Sequence, residues 1–146
     1  MSRRILVPID SSDHSTKALD HALAVHEGAT VVLLHVVDPT RWVSAGDDEG
    51  MEPFYSKQLE EAARSGSEEL LAAAADRVRD AGADVETVEL VGGPARAILQ
   101  YLDEEGADVD QVVMGSHGRT GLGRVLMGSV AERVTRRSPV PVTVVR

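Results

Sequence analysis

Two uninterrupted apolar runs set the frame of this chain. Residues 3–9 carry Ile5-Leu6-Val7-Pro8-Ile9, and residues 30–37 read Thr30-Val31-Val32-Leu33-Leu34-His35-Val36-Val37. Neither run has a polar face, so a strand built from it must be covered on both sides, as in a parallel sheet. Asp10-Ser11-Ser12 closes the first run. Ser12 or Asp13 is placed to cap a following helix. Ala18, Leu19, Ala22, Leu23 and Val25 then recur at helical spacing, and Gly28 stops the helix.

The same unit repeats along the chain. Residues 38–54 hold two prolines and an acidic cluster and read as a mobile loop. Residues 55–81 read as one long helix, with Leu59, Ala62, Ala63, Leu70, Leu71, Ala74 and Val78 in period and Gly66 as a weak interior point. Residues 83–91 alternate and fit a strand nearer the sheet edge. Gly92-Gly93 makes a turn and Pro94 takes a first-turn helix position, with Ile98, Tyr101 and Leu102 facing the core and Gly106 ending the helix. Residues 109–114 form the fourth strand, residues from Gly128 to about Arg137 a helix, and Pro139-Val140-Pro141-Val142-Thr143-Val144-Val145-Arg146 the fifth strand. This β-α alternation predicts an α/β fold: a doubly wound, five-stranded parallel sheet with right-handed crossovers and helices on both faces. The 146 residues suit a single domain, 1–146.

Composition excludes several classes. No cysteine is present, so disulfides and thiolate metal sites are out, and the histidines show no metal-ligand spacing. No stretch approaches the length of a membrane span, and the opening MSRRILVPID makes a poor signal peptide. A cytoplasmic location is expected. The net charge of −9 disfavours nucleic acid as a partner. Thirteen arginines stand against only Lys17 and Lys57. Many carboxylates with few lysines fit either a halophilic source, where salt screens self-repulsion, or an ordinary acidic protein.

Residues 115–130, GSHGRTGLGRVLMGSV, hold five glycines between a strand and a helix. Gly118-x4-Gly123 has Walker A spacing, but Arg124-Val125 stand where Lys-Ser/Thr belongs. Gly121-x-Gly123 begins a dinucleotide fingerprint that Leu126 fails to complete. A loop of this kind still points backbone N–H groups at one spot, next to the positive end of a helix. Arg119, Arg124, Arg133, Arg136 and Arg137 against Glu132 give residues 115–137 a local charge of +4. An anion site explains this; a packing and capping loop, with Ser129 as N-cap, is the alternative. Asp10 ends the first strand, where ligands of open α/β sheets sit. It is equally placed to bond local N–H groups at the helix entry. Pro139 and Pro141, two apart, mark the last strand as an edge open to pairing with another chain. Ser116-His117 is not a nucleophile–base pair by adjacency, no G-x-S-x-G elbow exists, and nothing present activates water, so no catalytic residue is assigned.

Ile9-Asp10-Ser11-Ser12 after the first strand, Leu33-Leu34-His35-Val36-Val37-Asp38-Pro39 at the second, and a G-2x-G-9x-G-S pattern filled by Gly115, Gly118, Gly128 and Ser129 resemble the universal stress protein family. The resemblance spans essentially the whole chain. It implies a Rossmann-like sheet of order 3-2-1-4-5, which sets strands one and four side by side. It also implies ATP as ligand; separately, the residues leave room for a divalent ion, Mg or Mn, to accompany the nucleotide through phosphate oxygens and Asp10. Asp10 would meet the ribose or adenine side, the Val36 main chain the adenine edge, and Pro8 and Met114 the pocket wall. Gly115, Gly118, Gly128 and Ser129 would take the phosphates, helped by the backbone around His117 and Val130. A homodimer through strand 140–146 is implied as well. Three functions follow as expectations: an ATP-binding stress-response module, a nucleotide-independent interaction protein of the same fold, and a slow ATPase.

Overall fold

The computed structural model describes residues 2–39, 43–44, 54–55, 57–117 and 127–146. Strand β1 is Arg4–Pro8, helix α1 Asp13–Val25 and strand β2 Thr30–Val37. Two two-residue strands, β3 (Val43–Ser44) and β4 (Phe54–Tyr55), pair antiparallel. Helix α2 (Lys57–Asp80), strand β5 (Asp84–Val91), helix α3 (Pro94–Asp103), strand β6 (Gln111–Gly115), helix α4 (Ser129–Arg137) and strand β7 (Val142–Val145) follow.

The main sheet is parallel throughout, in the order β5-β2-β1-β6-β7. Counted along these five strands alone, that is 3-2-1-4-5, as expected. The winding reverses between β1 and β6. Side-chain alternation sends Ile5, Val7, Val31, Leu33 and Val113 to one face, against α1 and α2. Leu6, Val32, Leu34, Val112 and Met114 go to the other, against α3 and α4. The apolar runs lack a polar face for this reason: both faces are core.

Turns fall where the glycines predict. Gly28 and Gly82 hold φ near +80° after α1 and α2, a region that L side chains rarely enter. Ser12 caps α1 by accepting from the Ser15 N–H at 3.2 Å. The structure refines four readings. Val25 is helical, as its spacing predicts, and is 58% exposed at the end of α1. In α2 the buried side begins only at Ser67; Leu59 is 43% exposed and Ala62 is exposed. The fifth strand starts at Val142, after both prolines, so their missing N–H groups shape its approach and not its ladder. It is nonetheless an edge strand. Residues 38–54 contain β3 and the start of β4, and most of that segment lies outside the described residues. Among the described residues no helix is long and apolar enough to cross a membrane.

The end of the sheet away from the site is tied by Arg4. Its side chain pairs with Glu86 and, at 3.0 Å, with Asp108. The hydrogen bond to Glu86 raises the guanidinium pKa further above its ordinary value. Tyr101 lies beside this cluster, and burial raises its phenol pKa above the ordinary 10.0. A raised folded-state pKa gives stability that is full below the unfolded value and is lost as pH rises through the folded one. Stability should therefore fall as pH climbs past about 10. Tyr101→Phe should flatten that fall in urea titrations at pH 9 to 11; an unchanged alkaline slope would refute this.

Candidate functional site

The site grows from the carboxyl ends of β1, β2 and β6. At the end of β1, Asp10 Oδ1 accepts from the Ser12 N–H at 2.8 Å and from the Ser12 hydroxyl. The Asp10 N–H donates to Ser15 Oγ at 2.9 Å. These bonds are the local helix-entry role that its sequence position allowed. They use one carboxylate oxygen; Oδ2 has no partner among the described residues. Asp10 therefore shapes the turn with one carboxylate oxygen and also lines the cavity above it.

At the end of β6, Gly115 answers why a glycine is needed there. A Cβ at this position would lie 2.8 Å from His14 C, Cβ and O. The absent side chain lets the first turn of α1 sit directly on β6. The glycine thus serves helix packing, whatever ligand also comes near. Ser116, 1% exposed, is fixed by its N–H donating to Val145 O at 2.8 Å and its carbonyl accepting from Gly128 N–H at 2.6 Å. The second bond closes the base of the glycine loop, whose residues 118–126, Gly118 included, lie outside the described residues.

Gly128, not Ser129, is the N-cap of α4, and it makes no side-chain cap bond. Ser129 is the first helical residue and is exposed. Among the described residues no side chain accepts from the N–H groups of the first turn, which lie at the positive end of the helix. The arginine reading is corrected. Arg136 and Arg137 belong to the last turn of α4, and Arg136 pairs with Glu132. Arg137 is eight residues beyond Ser129, about 12 Å along the axis. These cations complement the carboxyl end of the helix rather than the loop.

One cavity of about 960 Å³ lies over these strand ends. Pro8, Asp10, Val36, Met114, Gly115, His117, Gly128, Ser129 and Val130 all line it. Its size is at the upper end of what small-molecule sites use, about 300–1,000 Å³. The sequence reading missed the outer walls. Leu59, Ala63, Gly66 and Ser67 of α2 close one side, and Pro94 and Ile98 of α3 the other. Gly66 and Leu59 carried the available signal, a helical glycine and an apolar residue with no core to enter. His35 Nδ1 lies 2.7 Å from the buried Ser67 Oγ, and both residues line the cavity. Among the described residues, no three histidine or acidic side chains form a metal cluster.

A doubly wound parallel sheet with a cavity over the strand ends at the winding reversal defines an open, Rossmann-like α/β fold. The chain belongs to the universal stress protein family, whose family model matches residues 1–146. It is 35% identical to Universal stress protein MJ0531 of Methanocaldococcus jannaschii, covering 99% of this chain and 82% of the relative. It is 32% identical to the solved structure of MJ0577 from the same organism, with a TM-score of 0.72 over 99% of this chain and 96% of the other. A universal stress protein solved in complex with cAMP matches at 29% identity and a TM-score of 0.68, over 99% and 97% of the two chains.

Proposed function

We propose that this protein binds an adenine nucleotide, ATP foremost, in the cavity, and acts as a homodimeric regulatory module of the stress response. One observation carries the reading. Gly128 and Ser129 at the amino terminus of α4, which has no side-chain cap, and Asp10, whose Oδ2 has no partner among the described residues, line the same cavity. The first suits phosphate; the second suits a hydroxyl donor such as a ribose. In this reading Pro8, Asp10 and the Val36 backbone hold the nucleoside against Met114. Gly115, His117, Gly118, Gly128, Ser129 and Val130 surround the phosphates. The cAMP complex of a relative supports the choice of adenine. An accompanying Mg or Mn ion would neutralise phosphate charge. Two serine–histidine contacts line the cavity, Ser116 with His117 at 3.0 Å and Ser67 with His35 at 2.7 Å, and both serines are buried at 1% exposure, which favours binding over turnover.

Displacement of a fluorescent ATP analogue tests ligand choice. ATP, ADP, AMP and cAMP should displace it in the micromolar range, and GTP at least about tenfold more weakly. Asp10→Asn should weaken ATP by about tenfold, the scale of one charge-assisted hydrogen bond. Failure of every adenine nucleotide to displace would refute the reading. The dimer is supported by β7, which among the described residues pairs only with β6 and presents half-buried valines at its edge. Light scattering should return twice the chain mass; a monomer at tens of micromolar would reject this part.

A further inference from the structure

Ser15 is the polar member of the buried stripe of α1, in line with Ala18, Leu19 and Ala22. It is only 6% exposed, and a buried hydroxyl is costly unless it is bonded. Three residues settle this among themselves. The Asp10 N–H donates to Ser15 Oγ at 2.9 Å, the Ser15 N–H donates to Ser12 Oγ at 3.2 Å, and the Ser12 hydroxyl donates to Asp10 Oδ1. These bonds close a ring that ties the end of β1 to the first turn of α1. Gly115, with no Cβ, lets that turn sit directly on β6. Two capacities are left over. Among the described residues the Ser15 hydroxyl hydrogen has no acceptor and Asp10 Oδ2 has no donor. Both residues line the cavity. The ring thus carries one spare donor and one spare acceptor, on two residues that are bonded to each other.

We infer that Ser15 and Asp10 together select the sugar of the bound nucleotide by reading one ribose hydroxyl, an assignment that rests on the proposed nucleotide reading. That hydroxyl accepts from the Ser15 O–H and donates to Asp10 Oδ2. A hydroxyl can do both through a single oxygen. Phosphate suits the pair poorly, because it would accept from the serine but be repelled by the neighbouring carboxylate. A deoxy carbon can do neither. It would leave a buried donor and a charged acceptor unpaired, and sites built for a hydroxyl reject the analogue without it for this reason. Asp10 fixes the turn through one oxygen and reads the sugar through the other. Ser15 supplies the donor that Asp10 lacks, and Gly115 positions it.

The test compares ATP, 2′-deoxy-ATP and 3′-deoxy-ATP by calorimetric titration of the full chain, then of Ser15→Ala and Ser15→Thr, each first checked for an intact fold by circular dichroism. In the parent, at least one deoxy form should bind about tenfold more weakly than ATP, or worse. Ser15→Ala should weaken ATP by about tenfold and leave that deoxy form within about twofold of the parent, so that the preference vanishes. Ser15→Thr keeps a hydroxyl and should keep the preference. Equal binding of ATP and both deoxy forms by the parent overturns the inference and leaves the nucleotide reading standing. An equal loss of all three ligands in Ser15→Ala also overturns it, because the serine would then serve only the turn or meet the base. A preference that survives Ser15→Ala overturns it too, since the selection would lie elsewhere. No binding of any of the three by the parent rejects the nucleotide reading itself, and sugar selection with it.

Discussion

Replacing Gly115 with alanine is expected to destabilise the protein by about 3 kcal/mol, the upper range for an overpacked site. The added carbon would overlap three atoms of His14, two of them backbone, so no rotamer change relieves the contact. Helix α1 would have to lift away from β6, and the interface it leaves contains Ala18, Leu19 and Val113. Two readouts should move together: the urea midpoint falls, and ligand affinity falls because Asp10 and Ser15 ride on that turn. An unfolding free energy within about 0.5 kcal/mol of the parent would mean that α1 does not sit as close as described.

Ser129→Asp is expected to act in opposite directions on stability and binding. Ser129 opens α4, where no side chain caps the helix. A carboxylate there meets the positive end of the dipole and should stabilise the fold by about 0.3–1 kcal/mol. The same carboxylate would stand where the proposed phosphates lie. At roughly 4 Å, like charges near a protein surface repel by about 4 kcal/mol, so ATP affinity should fall by at least about 100-fold. Ser129→Asn, uncharged, should do neither to that extent. Retained ATP affinity in the aspartate variant would place the anion elsewhere.

Much of the fold was legible because its two central apolar strands, β1 and β2, have no polar face. The runs at 3–9 and 30–37 could only be interior strands, and the sheet observed buries both faces of β1 and β2. The glycines at 28 and 82 could be read locally, since positive φ is a property of one residue. What failed was non-local. The periodicity of α2 extends through Leu59, but a helix of 24 residues is about 36 Å long, while β2, with 8 residues, spans only about 26 Å. The first turns of α2 overhang the sheet, and their apolar side chains line the cavity instead of the core. Gly115 was legible as a required glycine, but not for its reason, because the contact is with His14 about a hundred positions away in sequence. The arginine count around the loop misled because it ignored helix length, which carries Arg136 and Arg137 to the far end of α4. At the candidate site, nine of the expected residues gather around one cavity, because strand ends and helix starts in this topology point to one edge.

The most direct test of the account is a calorimetric titration of the purified protein with Mg-ATP in concentrated potassium chloride, repeated with Ser129→Asp. The account predicts saturable, micromolar binding at one site per chain, abolished in the variant while its thermal midpoint holds or rises. No heat of binding across several temperatures, or equal binding by parent and variant, would contradict the claim that the β1–β6 crevice is a phosphate site.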